Sequence, residues 1–202
     1  MRVVIASSNR GKLREITQLL SPYKLEIIPQ SAFNLTAIEE TGGTFIENAI
    51  LKARHAAKHS GLPAFADDSG LVVPALNGAP GIFSARYAGK EATDQDRIHK
   101  LLAELSDVKA DNRSAYFVCA LAMLQHENDP APIIAQGFWH GEILTEPRGR
   151  NGFGYDPIVY LPDLMRTAAE LPDELKNTLS HRARAMQLFI KQLPNITSEI
   201  AS

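Results

Sequence analysis

The order in which apolar patterns follow one another constrains the fold of this chain most strongly. Near the N-terminus, short apolar runs such as Val3–Ala6 alternate with segments whose apolar residues recur at helical spacing. In the middle, two long apolar runs, about Ser114–Gln125 and Ile133–Ile143, are separated only by the polar tip Glu127–Pro130. Alternation favours parallel strands with crossover helices, whereas a short tip favours a hairpin. The sequence therefore predicts an α/β fold with a mixed β-sheet flanked by helices.

Caps and breakers predict the remaining elements. Helices are expected over Leu13–Leu20, from a Thr44 cap to about Ser60, after a Thr93 cap and after a Ser180 cap. Glu47, three residues after Thr44, completes a capping-box pattern. Ala64–Ala66 is expected to be a short strand that opens into an acidic turn. With 202 residues, the chain is expected to form a single domain, residues 1–202, with a cleft between two lobes.

Composition narrows the class of partner. The formal net charge of −2 argues against a general nucleic-acid binder, although it leaves room for a small anionic ligand. Cys119 is the only cysteine, and its apolar surroundings favour a packed thiol over a nucleophile. No window approaches the roughly 20 apolar residues of a membrane span, and Val3–Ile5 is too short for a signal-peptide core. A cytoplasmic protein without a membrane partner is expected.

The first polar turn is a candidate phosphate-binding loop. Its members are Ser7, Ser8, Asn9, Arg10, Gly11 and Lys12. Hydroxyl, amide and ammonium donors stand at a helix N-terminus, where exposed backbone N–H groups and the helix dipole favour an anion. The pattern is not a Walker motif, because Gly11-Lys12 is followed by Leu13. The alternative is that Ser7 or Asn9 merely caps the helix.

Two acidic pairs, Glu39-Glu40 and Asp67-Asp68, are candidate metal ligands. Neighbouring residues of an extended chain point to opposite faces, so one member of each pair is expected to face a given site. Mg²⁺ that bridges phosphates needs one or two carboxylates plus waters, and a carboxylate could also orient or deprotonate the attacking water. Ser69, beside Asp68, is a candidate substrate contact. The alternative is two solvated acidic turns.

The segment Gly149–Pro157 is a candidate base pocket. Phe153, Gly154, Tyr155 and Asp156 alternate aromatic rings with glycine, which leaves ring faces open for stacking on a planar base. Asp156 precedes Pro157, which restricts its backbone and fixes its direction. The alternative is a glycine-rich turn whose aromatic residues pack in the core.

Three cationic side chains surround the start of the last predicted helix: Lys176, His181 and Arg182. Cations are poor complements to the positive end of a helix dipole, so an anion or a base carbonyl between them would explain their placement. His181 alone would more often be an ordinary surface histidine. Together with the three preceding segments, these residues indicate a triphosphate, a metal ion and a planar base.

Six motifs occur in the order found in a known family. They are Ser7-x-Asn9-x-x-Lys12, Thr44-Phe45-x-Glu47-Asn48-Ala49-x-x-Lys52-Ala53, Ala66-Asp67-Asp68-Ser69-Gly70-Leu71, Gly78-Ala79-Pro80-Gly81-x-x-Ser84-Ala85-Arg86-Tyr87, Gly152-Phe153-Gly154-Tyr155-Asp156-Pro157 and Ser180-His181-Arg182. From about residue 3 to 193 the chain resembles the non-canonical purine nucleoside triphosphate pyrophosphatases, also called inosine triphosphatases or dITP/XTP pyrophosphatases, of the Ham1-like family.

The resemblance implies an elongated mixed sheet with two lobes, the active-site cleft between them, and a homodimer. It also implies Mg²⁺-dependent release of pyrophosphate from ITP, dITP and XTP, which cleanses the nucleotide pool and prevents incorporation into DNA and RNA. The implied roles are phosphate binding by Ser7, Asn9, Lys12 and Lys52, catalysis and metal binding by Asp68, metal binding by Glu40, a base pocket at Phe153–Asp156, and further substrate binding by Lys176, His181 and Arg182.

Two positions depart from the family pattern. Position 175 is Leu where relatives often carry Glu, and position 155 is Tyr where some carry Trp. The first departure changes the charge near Lys176, and the second should alter stacking strength more than reaction type. Two alternatives stay open: a related pyrophosphatase for other modified nucleotides, and a nucleotide sensor that binds without cleaving. A P-loop phosphatase is disfavoured by the missing Walker pattern.

Overall fold

The strands of the computed structural model form one mixed sheet across residues 1–23, 25–36 and 38–193, which the structure describes. These strands are Arg2–Ile5 (β1), Glu26–Pro29 (β2), Ala64–Val72 (β3), Ser114–Leu124 (β4), Ile133–Ile143 (β5), Val159–Leu161 (β6) and Arg166–Thr167 (β7). The order in the sheet is β2-β1-β3-β4-β5-β6-β7. β1 pairs in parallel with β2 and β3, whereas β6 pairs antiparallel with β5 and β7. The predicted mixed sheet is confirmed.

The α-helices are Arg10–Leu20 (α1), Phe45–Ser60 (α2), Asp94–Glu104 (α3), Asp173–Leu179 (α4) and His181–Ile190 (α5). The predicted caps of α2 and α3 are confirmed, because the Thr44 and Thr93 side chains each accept a hydrogen bond from the backbone N–H three residues on. The second hydrogen bond of the predicted Thr44 capping box, from the Thr44 backbone N–H to the Glu47 side chain, is replaced by a different one. The Glu47 carboxylate accepts from the Thr44 hydroxyl at 2.9 Å. A full capping box occurs instead at Thr93 and Asp96.

The chain divides into two compact units. Unit 1 comprises Met1–Asp68, Cys119–Gly137 and the chain from Arg182 on, and unit 2 comprises Ser69–Val118 and Phe138–His181. That the whole chain works as one two-lobed domain stays a prediction.

The core of unit 1 lies on both faces of its strands. Alternate residues of a strand point to opposite faces. On one face Ile5 and Phe65 belong to a buried cluster with the apolar residues of α1 and α5. On the other face Ala64 and Ala66 belong to a cluster with the alanines of α2. The alternation of side chains along β3 therefore decides which helix each of them contacts. The same alternation applies to Asp67 and Asp68, which follow Ala66 in this strand.

The core of unit 2 is a third buried cluster. Leu71 of β3, Leu101 of α3, Trp139 of β5 and Tyr155 all contribute to it. Tyr155 lies in the glycine-rich segment that the sequence suggested as a base pocket. This packing bears directly on its predicted role.

The structure corrects the predicted end of a strand. Asp67-Asp68 was expected in a turn after Ala64–Ala66, but β3 continues through both residues to Val72. Both are buried, with 2% and 5% of their surfaces exposed, so the solvated-turn alternative is wrong for this pair. Aspartate is depleted in strands, and ion pairs with cations from distant segments compensate here for the burial of two of them.

No helix within residues 1–23, 25–36 and 38–193 is long and apolar enough to span a membrane.

Candidate functional site

The predicted phosphate loop is a short connection followed by the first turn of α1. Ser7, Ser8 and Asn9 lie between β1 and α1, whereas Arg10–Lys12 already belong to the helix. The Asn9 side-chain oxygen accepts from the Lys12 backbone N–H at 3.1 Å, so Asn9 caps α1 as the alternative interpretation proposed. Capping does not exclude anion binding, because several N–H groups of a first helical turn lack intrahelical acceptors.

Asp67 connects the first turn of α1 to the start of α5. Its Oδ1 lies 3.1 Å from the Lys12 Nζ, and its Oδ2 accepts from the Arg182 Nη2 at 3.1 Å and Nε at 3.3 Å. Arg182, only 1% exposed, also donates to Glu15 of α1. Two cations and two carboxylates therefore form one buried network in unit 1.

This network holds Asp67 ionised. Burial alone would raise the pKa of its carboxyl, but Lys12, Arg182 and Lys52 outweigh burial and bring the pKa well below its ordinary value. Sequence reasoning missed both Asp67 and Glu15 as site residues. Asp67 was in view as the partner of Asp68, and Lys12 and Glu15 stand three residues apart on one face of α1, which was the available signal.

A second ionic group lies on the other face of β3. The Lys52 Nζ of α2 donates to the Asp68 Oδ1 at 2.7 Å and to the Glu40 Oε1 at 2.8 Å. Burial lowers the pKa of Lys52, but the carboxylates of Asp68, Asp67 and Glu40 outweigh it and raise the pKa above its ordinary value. The predicted residues Glu40, Lys52 and Asp68 therefore lie together, in unit 1.

Asp68 has an unused oxygen. Its Oδ2 is buried and has no hydrogen-bond partner in the part of the chain that the structure describes. Burial raises the pKa of this carboxyl, Lys52 and Lys12 lower it, and the balance stays above the ordinary value. A buried carboxylate oxygen without a partner is costly unless a cation or proton meets it. This oxygen is therefore suited to a hard metal ion.

The carboxylates available to a cation are few. No group of three or more His, Cys, Asp or Glu residues with metal-binding geometry occurs in residues 1–23, 25–36 and 38–193. Glu40 and Asp68 would supply two oxygen ligands. That number suits Mg²⁺, which usually keeps several waters and takes its other ligands from substrate phosphates.

In unit 2, the glycine-rich segment folds around Asp156. The Asp156 Oδ2 accepts from the Phe153 backbone N–H at 2.8 Å and from the Lys176 Nζ at 2.7 Å. Gly152 has a φ of +75°, and a side chain there would collide with this carboxylate. The Lys176 ammonium lies 4.8 Å from the centre of the Phe153 ring, in cation–π contact. Phe153, Asp156 and Lys176 thus form one cluster, and a base pocket at Phe153–Asp156 stays a prediction.

Tyr155 is placed differently from Phe153. It is 4% exposed, and its hydroxyl donates to the Ser84 carbonyl at 3.0 Å. Its ring packs in the core of unit 2, so stacking on a base stays a prediction that this position does not favour. Phe153, in contrast, is half-buried and keeps part of its surface exposed.

The remaining predicted residues of unit 2 lie on separate elements. His181 is buried and stacks on Phe117, with ring centres 4.9 Å apart and planes 17° apart. This packing makes it unlike an ordinary surface histidine. Ser69 lies half-buried in β3 directly after Asp68, and Leu175 is an exposed residue of α4.

Comparison with known proteins agrees with the predicted family. The family model described as the Ham1 family matches residues 3–192. A dITP/XTP pyrophosphatase of Coxiella burnetii is 55% identical over 199 residues, which cover 98% of each chain. Among solved structures, a HAM1 protein from Coxiella burnetii has a TM-score of 0.89 at 55% identity, covering 98% of this chain and 99% of that one. The Staphylococcus aureus Ham1 protein has a TM-score of 0.86 at 43% identity, covering 96% and 99%.

Both the sequence match and the shared fold extend over nearly the whole chain, and the predicted ionic and aromatic residues fall within the matched range. The chain belongs to the Ham1 family.

Proposed function

We propose that this protein hydrolyses non-canonical purine nucleoside triphosphates, namely ITP, dITP and XTP, to the nucleoside monophosphate and pyrophosphate. The observation that carries the proposal is the buried pair Asp67-Asp68, which three cations surround in unit 1. Such a group can receive a polyphosphate and a metal ion together. The name dITP/XTP pyrophosphatase, carried by a relative 55% identical over 98% of the chain, supports the same substrate class.

Asp68 and Glu40 would hold Mg²⁺, and the unpartnered buried oxygen of Asp68 is the observation that fits an ion there. When bound, the metal would neutralise phosphate charge and ease formation of a hydroxide nucleophile from water. Lys52 contacts both carboxylates, so it would hold them in place and share the negative charge of the substrate.

In the proposed reaction, a water oxygen bonds to the α-phosphorus and the bond from that phosphorus to the α–β bridging oxygen breaks. Asp68 would orient this water and accept its proton. Lys12 and the first N–H groups of α1, together with Ser7–Gly11, would bind the phosphates and offset the charge that develops on departing pyrophosphate. Arg182 is 1% exposed, so its substrate role would be exerted mainly through Asp67 and Glu15.

Base selection would rest on unit 2. The Phe153 ring would stack on the purine, and His181 and Ser69 would complete the contacts. The Lys176 ammonium can only donate hydrogen bonds, so it suits the 6-keto oxygen of hypoxanthine or xanthine and opposes the 6-amino group of adenine. Guanine shares this 6-keto oxygen, so its rejection would depend on its 2-amino group, for which the pocket would offer neither room nor a partner. An unpaired buried polar group costs about 1–3 kcal/mol, which corresponds to about 5- to 150-fold discrimination for each mismatch.

The remaining parts of the proposal concern the protein as a whole. It would work as a cytoplasmic homodimer of two-lobed domains, without a nucleic-acid or membrane partner. The formal net charge of −2 supports the absence of a nucleic-acid partner. Light scattering of the purified chain measures the dimer directly.

A nucleotide panel tests the reaction. The protein is incubated with ITP, dITP, XTP, ATP, GTP and modified pyrimidine triphosphates in the presence and absence of Mg²⁺, and the released phosphate species is identified. Pyrophosphate from the first three in preference to ATP and GTP is expected. Orthophosphate, no cleavage, or equal cleavage of ATP and ITP would overturn the proposal, and no cleavage with tight binding would instead indicate a nucleotide sensor.

Variants of the carboxylates test the roles. Asp68→Asn should lower kcat by at least about 100-fold while nucleotide binding persists, because the water loses its base and the metal a charged ligand. Glu40→Gln should raise the Mg²⁺ concentration needed for half-maximal rate. Glu39→Gln is the matched control, since Glu39 is the exposed neighbour of Glu40. Near-normal turnover of Asp68→Asn would remove Asp68 from the mechanism.

A further inference from the structure

The start of α3 contacts the glycine-rich segment of unit 2 through one carboxylate. The Asp94 Oδ2 accepts a hydrogen bond from the Gly154 backbone N–H at 2.6 Å, although the two residues are 60 positions apart. This distance is short for an N–H donor, and hydrogen bonds to a carboxylate acceptor belong to the stronger class. Gly154 lies between Phe153, the proposed stacking ring, and the core residue Tyr155.

The Asp94 carboxylate is held from its other side as well. Its Oδ1 accepts from the Arg97 Nη1, and the Arg97 Nη2 donates to the Ala92 carbonyl at 2.6 Å. The Arg97 side chain is 17% exposed, whereas that of Asp94 is 46% exposed. A half-exposed aspartate would ordinarily sample several rotamers, and this arginine restricts it to the one that reaches Gly154.

Helix capping does not explain Asp94. Thr93 and Asp96 already form the complete capping box of α3, with the Thr93 backbone N–H donating to the Asp96 Oδ2 at 2.8 Å. Asp94 interacts favourably with the helix dipole, as any acidic residue of a first turn does. A side chain that pointed to solvent would have the same interaction, so the dipole does not explain the orientation of Asp94. The contact with Gly154 is the specific feature.

The loop needs such a contact because its own backbone is permissive. Gly152 and Gly154 have φ values of +75° and +64°, so glycine sets few limits on the direction of Phe153. Asp156 fixes the Phe153 N–H, and Asp94 fixes the next one. The two backbone N–H groups that flank the Phe153 Cα are thus each held by a carboxylate, one from within the loop and one from α3.

We propose that Asp94, held by Arg97, is a positioning residue that sets the orientation of Phe153 and thereby the discrimination between purine bases. The inference rests on the proposed function, in which Phe153 stacks on the base. Asp94 touches neither base nor phosphate in this scheme. It acts through the Gly154 N–H group.

The expected effect of Asp94→Ala is on selectivity. The ratio of kcat/KM for ITP to that for ATP should fall by about tenfold, the low end for a lost hydrogen bond to a charged group because this one is partly exposed. The KM for ITP should rise more than kcat falls, since the phosphate and metal ligands are unchanged. Arg97→Gln should change the ratio in the same direction but less, because Asp94 remains.

Asp96→Ala is the matched control. It removes one charge from the same helical turn and also breaks the capping box, so it should destabilise α3 at least as much as Asp94→Ala. It leaves the contact with Gly154 in place, so the selectivity ratio should stay within twofold of the wild-type value. An equal fall in both variants would overturn the proposal, because a general loss of helix stability would then explain the effect.

Hydrogen exchange supplies a readout that is independent of activity. Amide hydrogens in peptides covering residues 150–157 should exchange faster in Asp94→Ala than in the wild type. Their exchange rate in Asp96→Ala should equal that of the wild type. Unchanged exchange in Asp94→Ala would overturn the positioning role, as would an unchanged selectivity ratio. If the wild type shows no preference for ITP over ATP, the proposed function fails, and the exchange experiment still decides whether Asp94 positions the loop.

Discussion

Replacing Asp67 with asparagine removes one charge from the buried network of unit 1 and keeps the shape of the side chain. In the wild type this carboxylate meets the Arg182 guanidinium at 3.1 and 3.3 Å and the Lys12 ammonium at 3.1 Å. The variant leaves two cations around a neutral amide. Because Arg182 is only 1% exposed, water cannot reach its guanidinium group to solvate the charge that Asp67 no longer balances.

The magnitude follows from these contacts. Breaking a buried ion pair by removing one partner lowers the free energy of unfolding by about 3–5 kcal/mol. The amide oxygen still accepts one hydrogen bond and Arg182 keeps Glu15, so we expect the lower end, about 3 kcal/mol. For a chain of this size each kcal/mol lowers Tm by about 2–4 °C, so Tm should fall by about 6–12 °C.

Urea and thermal unfolding followed by circular dichroism measure this change. Glu15→Gln removes one charge-assisted hydrogen bond of Arg182 and should cost less, about 1.5–3 kcal/mol. Glu39→Gln, at an exposed carboxylate, should stay within about 0.5 kcal/mol of the wild type. If Asp67→Asn unfolds within 2 °C of the wild type, the carboxylate does not hold the two cations as the contacts indicate.

Two further predictions concern single side chains. Burial raises the pKa of the Cys119 thiol, so native protein should resist thiol-specific reagents that label it readily in urea, and rapid native labelling would contradict its buried position. At Asp129, burial raises the pKa, but hydrogen bonds from two backbone N–H groups of the β4–β5 turn outweigh it and lower the pKa below its ordinary 3.8. A carboxyl whose pKa is lowered by folding stabilises the fold at any pH above its unfolded-state pKa. This contribution is lost as the pH falls through the folded-state pKa. Stability should therefore fall more steeply below about pH 4 in the wild type than in Asp129→Asn, and parallel acid unfolding curves would refute this.

The fold could be predicted from the sequence where the periodicity of apolar residues and the helix-capping residues indicate the same element. The alternation of β1, α1 and β2 and the long β4–β5 pair predicted a mixed sheet, and Thr93 marked the start of α3. These signals are local, since each depends on residues within one or two turns of chain. Element identity therefore followed from pattern alone.

The site was accessible only in part, because its decisive contacts are tertiary. Asp67 and Asp68 looked like a turn, since strand propensity disfavours aspartate, and the compensating cations come from distant segments. Tyr155 and Phe153 have nearly the same glycine-rich surroundings in sequence, yet one packs in the core and the other does not. Nothing in the local sequence links Asp94 to Gly154.

The passage of β3 through an acidic dipeptide has a consequence for how this strand can change over time. Asp67 continues the side of Phe65 toward α1 and α5, and Asp68 continues the side of Ala66 toward α2. Deleting Phe65, which lies between Ala64 and Ala66, would move both carboxylates to the opposite faces of the strand. Each would then face the residues that contact the other in the native protein. Point substitutions can alter these two positions separately, but insertions and deletions cannot. This stretch of strand should accordingly tolerate changes of residue type at its apolar positions while tolerating no change of length.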